Sequence, residues 1–184
     1  FLSSREITDR FVLARLLEVA GDECSPIAVR KRAIRALAAT NNDDLMPLRR
    51  DLLGRERPII LRRTVAQHLP PPGCDWDPLY DLIEPILKDP KEDLLLKKDL
   101  MDTPVCKSLT RPETQCLLAD ILATVNNDKS LRIAAAGLLH RVADPHDPNV
   151  PWADLLYQTL AEERHGEVQG AIRSLLLIFG EPRL

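Results

Sequence analysis

One nine-residue stretch, Val29-Arg30-Lys31-Arg32-Ala33-Ile34-Arg35-Ala36-Leu37, has near-copies along the chain. At 3.6 residues per turn, Val29, Ala33, Ile34 and Leu37 fall on one helical face with Arg30 beside them. Leu61-Arg62 is followed by Val65, Ala66 and Leu69, and Leu131-Arg132 by Ala135, Ala136 and Leu139. Ala171-Ile172-Arg173-Ser174-Leu175 repeats Ala33 to Leu37 almost letter for letter. The register of Val29 recurs at Leu61, Leu96, Leu131 and Glu167, with spacings of 32, 35, 35 and 36 residues. A helix pair of this size cannot bury both of its apolar faces alone. Stacking on a neighbour buries them, so about three or more copies are needed.

The punctuation divides the chain into ten helices that alternate as pairs. The first runs over about 5–20, with a broad apolar stripe of Ile7, Phe11, Leu13, Ala14, Leu16, Leu17 and Ala20. Ser25-Pro26 opens the second helix, to about 39, with Ser as cap and Pro in the first turn. Further helices are expected over about 44–53, 58–69, 77–88, 91–101, 112–125, 131–142, 151–164 and 167–179. Pro85 lies inside the fifth, where it removes one backbone hydrogen bond and is expected to bend the helix. Pro70-Pro71-Pro72-Gly73 is the strongest breaker, but the pattern resumes in phase behind it. No stretch sustains a two-residue alternation, so no sheet is expected. The repeats then span about 5–40, 43–70, 75–103, 111–143 and 150–180 within one domain. A start at Phe1 rather than Met suggests a fragment of a longer protein.

Composition enters where it removes alternatives. Aromatic residues make up 4% of the chain, so the core must be built from Leu, Ile, Val and Ala. Glycine is scarce at 7 residues, which leaves little material for phosphate-cradling loops. Net charge is −3, which excludes a whole-molecule electrostatic case for nucleic acid. The charge is uneven: residues 1–70 hold 13 Lys and Arg against 9 Asp and Glu, an excess of +4, and the remainder carries −7. Cys24, Cys74, Cys106 and Cys116 form no CxxC pair and read as free thiols in a reducing compartment. No apolar run approaches the ~18–20 residues that span a bilayer. The expected location is intracellular, cytoplasmic or nuclear.

Leu45-Met46-Pro47-Leu48, Leu52-Leu53 and Leu61-Arg62 with Val65 and Leu69 together resemble a HEAT repeat. So does Leu82-Ile83-Glu84-Pro85-Ile86-Leu87-Lys88-Asp89-Pro90 followed by Leu96-Lys97. The shared marks are a proline in the first helix, an acidic turn, and an apolar-basic pair opening the second helix. The resemblance implies an all-α, right-handed α-solenoid of about five HEAT-like helix pairs. It also implies an inter-repeat ladder, with Arg30, Arg62, Lys97 and Arg132 bonded to acids in the preceding turns: Asp22 or Glu23, Glu56, Asp93 and Asp128. The third copy departs from the pattern at Asp99 and Asp102, and the fifth has Glu167-Val168 in place of the apolar-basic pair. A buried leucine contributes about 1.5–3 kcal/mol and an exposed ion pair about 0–1 kcal/mol. On that comparison Leu131→Ala should lower the melting midpoint much more than Arg132→Ala.

If the second helices line an inner surface, the residues beside the ladder are the binding candidates. Lys31, Arg63 and Lys98 follow ladder residues directly, and Arg35 lies one turn beyond Lys31. Arg49, Arg50, Arg55 and Arg57 extend the positive region as solvated surface. His68 and His140 end equivalent helices and read as caps of the C-terminal dipole. His146, with Asp147, and Glu162 with His165 fall short of a metal site, since neither has enough ligands. Trp76, Tyr80, Trp152 and Tyr157, at the starts of two first helices, either anchor a partner or cover the core. No nucleophile elbow, phosphate loop or zinc-protease helix is present, so no catalytic residue, metal or cofactor is expected.

The expected function is a protein-protein interaction scaffold that holds a partner segment on the solenoid surface. The first alternative is a nucleic-acid-binding or repair domain using the basic N-terminal part. The acidic remainder opposes it. A small-molecule enzyme or bilin-lyase-like protein is a third reading, by fold analogy alone. The sequence carries no signal for oligomeric state and none for a membrane partner.

Overall fold

Apolar residues at helical spacing bury one face of every helix. The computed structural model describes residues 10–38, 45–69, 77–103, 112–144 and 151–179. Among the described residues there are ten α-helices and no strand. They are α1 (Arg10–Gly21), α2 (Ile27–Ala38), α3 (Leu45–Leu53), α4 (Ile59–Ala66), α5 (Asp77–Lys88), α6 (Leu94–Met101), α7 (Pro112–Ala123), α8 (Lys129–Val142), α9 (Trp152–Glu162) and α10 (Gly166–Phe179). Asp93 and Asp128 stand at the N-caps of α6 and α8, where their carboxylates accept the amides of Leu96 and Ser130, each at 2.8 Å. Helix α5 continues through Pro85 to Lys88. No helix among the described residues is long and apolar enough to cross a membrane.

The even-numbered helices contact one another in chain order: α2 with α4, α4 with α6, α6 with α8, and α8 with α10. Each also packs on the odd-numbered helix that precedes it. One register explains the stacking. Four residues beyond the position of Val29 come Val65, Leu100 and Ala135, and eight beyond come Leu37, Leu69, Leu139 and Leu175, all buried. Leu61, Leu96 and Leu131 themselves are at most 2% exposed.

The two ends of this row depart from the sequence expectation. Val29, read as a stacking residue, is 43% exposed. It lies on the first even helix, so no earlier even helix covers it among the described residues. In α1, Leu13, Leu16, Leu17 and Ala20 pack on the core, while Phe11 and Ala14 of the expected stripe are exposed. At the far end, Val168 is fully buried and Glu167 forms an exposed ion pair with Lys129 at 3.1 Å. The expectations on Ile7, Cys74, Trp76, Cys106 and the His146 loop lie outside the described residues.

Candidate functional site

The arginines that open the even helices are part of the interior. Arg30, Arg62, Lys97 and Arg132 are between 0 and 5% exposed. Each of the three arginines sits in the first turn of its helix and reaches back to the helix before it. The Nε–H of Arg30 donates to the carbonyl of Ala20 at 3.0 Å, that of Arg62 to Leu53 at 2.9 Å, and that of Arg132 to Leu122 at 2.7 Å. These carbonyls lie in the last turns of α1, α3 and α7, where no intrahelical donor remains. A guanidinium is suited to the position because its remaining N–H groups stay available for a second contact.

That second contact points forward, to the following repeat. Arg62 donates through Nη1 and Nη2 to the two oxygens of Glu92 at 2.8 and 2.6 Å, a bidentate pair in which both side chains are 6% exposed. Arg132 pairs with Glu163, and both side chains are fully buried. Glu92 and Glu163 both stand in the turn before the next even helix. Each also accepts backbone amides of that turn: Asp93 on Glu92 at 2.9 Å, and Arg164 and His165 on Glu163 at 2.8 and 2.6 Å.

For Arg62 and Arg132 the ladder therefore runs in the opposite direction to the one expected. Asp93 and Asp128 are occupied as helix caps, and Asp22 accepts the amide of Cys24 at 2.9 Å and the hydroxyl of Ser25 at 2.7 Å. Glu23 pairs with Arg57, and Glu56 lies 3.9 Å from the same guanidinium. These aspartates, at a helix N-cap or in the turn before the helix, are claimed by the nearest free amides. The longer glutamates one repeat further on have the reach to meet the arginine.

Electrostatics follow the burial. The hydrogen bond from Arg62 holds the Glu92 carboxyl below its ordinary value, against burial, which pushes it up. For Glu163 burial is the largest influence and pushes upward. The His165 amide, the Arg132 charge and the Arg164 amide outweigh it, so this carboxyl too lies below its ordinary value. Burial pulls the Lys97 ammonium down, and Asp89 and Glu92 act against that through space.

The residues beside the ladder divide. Lys31 and Lys98 are half-buried and Arg35 is exposed. Arg63 was expected to be available to a partner, and it is instead paired within the protein. Its Nε–H donates to Asp99 of α6 at 2.6 Å, and Gln67 donates to the other oxygen of Asp99 at 3.1 Å. This explains why the third copy carries an acid at that place. In the same register the residue facing Lys31 is Thr64 and the residue facing Lys98 is Ala134, both neutral.

Exposed apolar side chains accompany these cations. Ile27, Ile59, Ile60 and Leu95 are 41–48% exposed at the starts of α2, α4 and α6. Ile27 and Lys31, Ile59 and Arg63, and Leu95 and Lys98 are three or four residues apart, so each pair shares a helix face. Sequence reasoning missed these apolar members because they sit one or two places before the stacking leucine, where a second apolar residue reads as core.

Other candidates contribute to structure. The Nδ1 of His68 lies 2.9 Å from the carbonyl of Thr64 in the last turn of α4. The indole of Trp152 is 3% exposed, donates to the carbonyl of Asp144 at 3.1 Å and lies 5.4 Å from the ring of Phe179. Tyr80 is buried, and Cys24 and Cys116 are exposed free thiols. Among the described residues no cluster of three His, Cys, Asp or Glu could hold a metal ion. A groove of about 470 Å³ opens between α3 and α5, walled by Leu53, Leu82, Pro85 and Ile86, with the Arg62–Glu92 pair in its lining. No family model, no curated protein and no solved structure matches the chain.

Proposed function

We propose that this chain is a protein-interaction scaffold, a right-handed α-solenoid of HEAT-like helix pairs that holds a partner segment across its even-numbered helices. One observation carries the reading. Three helices that touch in order each present an exposed isoleucine or leucine beside a lysine or arginine. A partner segment with apolar and acidic residues in alternation matches that surface, the apolar residues supplying affinity and the charges supplying register. The stacking order of α2, α4, α6, α8 and α10 supports the solenoid arrangement.

The reading is tested by capture of partners from native lysate with the wild-type chain and with Lys31→Glu and Lys98→Glu. Arg63 is left intact, since reversing it would place two carboxylates together at Asp99. The expected result is loss of a specific partner from both variants at unchanged melting midpoint. Retention of every partner by both variants contradicts the reading. The nucleic-acid alternative has less support than the charge count suggests. Of the 13 basic residues in 1–70, Arg15, Arg30, Arg49, Arg55, Arg57, Arg62 and Arg63 are buried or paired within the protein.

A further inference from the structure

Between α4 and α6 one surface place is filled by the chain itself. Arg63 and Gln67, two and six residues beyond the stacking position of α4, both donate to Asp99, three beyond that of α6, at 2.6 and 3.1 Å. Between α8 and α10 the same register gives Ile133, Gly137 and Gly170. The polar clasp is missing, and a groove of about 270 Å³ takes its place. Ile133, Ala136 and Gly137 of α8 face Ala171 and Leu175 of α10 across it.

Gly137 is the telling residue. It lies inside the continuous helix α8, where glycine is less favourable than alanine. A methyl group added there would meet no atom within 4 Å, so no close packing within the chain requires the missing Cβ. Glycine is suited to a helix wall that a ligand approaches closely. The rest of the lining defines the ligand. No Lys, Arg, Asp or Glu lines the groove. Ser174 spends its hydroxyl on the carbonyl of Gly170 at 3.1 Å. Among the described residues, His140 is then the lining side chain left with an unengaged polar group. Ala136, Gly137 and Ala171 project no further than a methyl, so the walls are flat between Ile133 and Leu175. Flat apolar walls suit a ring, and the volume exceeds the roughly 150 Å³ of an apolar cavity that takes benzene. The imidazole of His140 can accept from a phenol hydroxyl or an indole N–H.

We propose that the groove between α8 and α10 seats an aromatic side chain of the partner segment. Ile133 continues the register of Lys31, Arg63 and Lys98, and α8 packs on α6, so the groove prolongs the surface formed by α2, α4 and α6. At the same two register positions α2 carries the cations Lys31 and Arg35, whereas α8 carries Ile133 and Gly137. A segment with its acids over α2 and an uncharged ring over α8 matches this surface in one direction only. That the ring belongs to this partner rests on the scaffold reading; the ring pocket does not.

The probe is indole, titrated into the whole chain with the methyl resonances of Ile133, Ala136 and Ala171 followed by NMR. The exposed Ile59 and Ile60 are the control for non-specific contact. Saturable shifts confined to the first three are expected. Gly137→Leu on one wall and Ser174→Leu on the other place a good helix former in the groove, and each should raise the midpoint several-fold. No saturable shift at Ile133 and Ala171 overturns the pocket, as does an unchanged midpoint in both variants. Cyclohexanol bound as tightly as indole overturns the aromatic assignment. A dimer of the chain that Gly137→Leu abolishes would make a second copy the occupant and overturns the assignment to a partner. In the lysate capture, Gly137→Leu should lose the partner that Lys31→Glu and Lys98→Glu lose. Retention of that partner by Gly137→Leu overturns the shared segment and leaves the scaffold reading standing. Retention of every partner by all three variants, with indole still bound by the wild-type chain, overturns the scaffold reading and the ring's assignment to a partner, and leaves the pocket standing.

Discussion

At the scale of single residues, the strongest departure from expectation is Arg132. Sequence reasoning ranks an ion pair below a leucine because it prices the pair as exposed. Here both partners are fully buried. Removing one member of a buried pair leaves the other charged and unpartnered, at a cost of about 3–5 kcal/mol. Truncating a buried leucine costs about 2–5 kcal/mol. Leu131→Ala and Arg132→Ala should therefore lower the thermal midpoint by similar amounts, and a drop confined to Leu131→Ala would show the pair to be dispensable. The rung also fixes a pH dependence. Glu163 has its carboxyl lowered from the ordinary 4.5 in the folded state. Its stabilisation is thus complete above about pH 4.5 and is lost as the pH falls through the lowered value, because the unfolded chain binds the proton first. Melting curves between pH 2 and 7 should show a shallower acid limb for Glu163→Gln than for wild type. Identical limbs would mean that other carboxylates govern acid unfolding.

At the scale of elements, α4 and α6 are joined twice, by Leu61 and Leu96 in the stack and by Arg63 on Asp99 at the surface. Arg63→Asp should destabilise the protein by about 1 kcal/mol or more, since it sets two acids against each other. The exchange Arg63→Asp with Asp99→Arg should recover most of the loss in urea unfolding. No recovery would mean that the pair acts through its individual neighbours. The helices themselves were legible in the sequence. Ser25-Pro26, Pro58, Pro112 and the Asn-Asp turns bound them, and the 3.6-residue period gives their buried faces. The partners of the ladder were not legible. The arginine's reach to Glu92 or Glu163 crosses 30 or 31 residues, and sequence spacing favours the nearer acids that the helix caps have already claimed. Asp99 was visible as an anomaly, and only the contact between α4 and α6 gives it a purpose.

At the scale of the molecule, a register of 32 to 36 residues generates both the stack and its exceptions. Val29 is exposed on the first described member of the even row, and Glu167 at the same register pairs with Lys129 of α8. The candidate binding surface follows from the same register, since exposed apolar and basic residues recur on α2, α4 and α6. The central claim is that buried arginine–glutamate rungs couple one helix pair to the next. A double-mutant cycle on Arg132 and Glu163, with each changed to Ala singly and together and stability read from urea unfolding, tests it most directly. The account predicts that the double variant loses little more than either single variant, because each single change already strands a buried charge. Losses that add would contradict it.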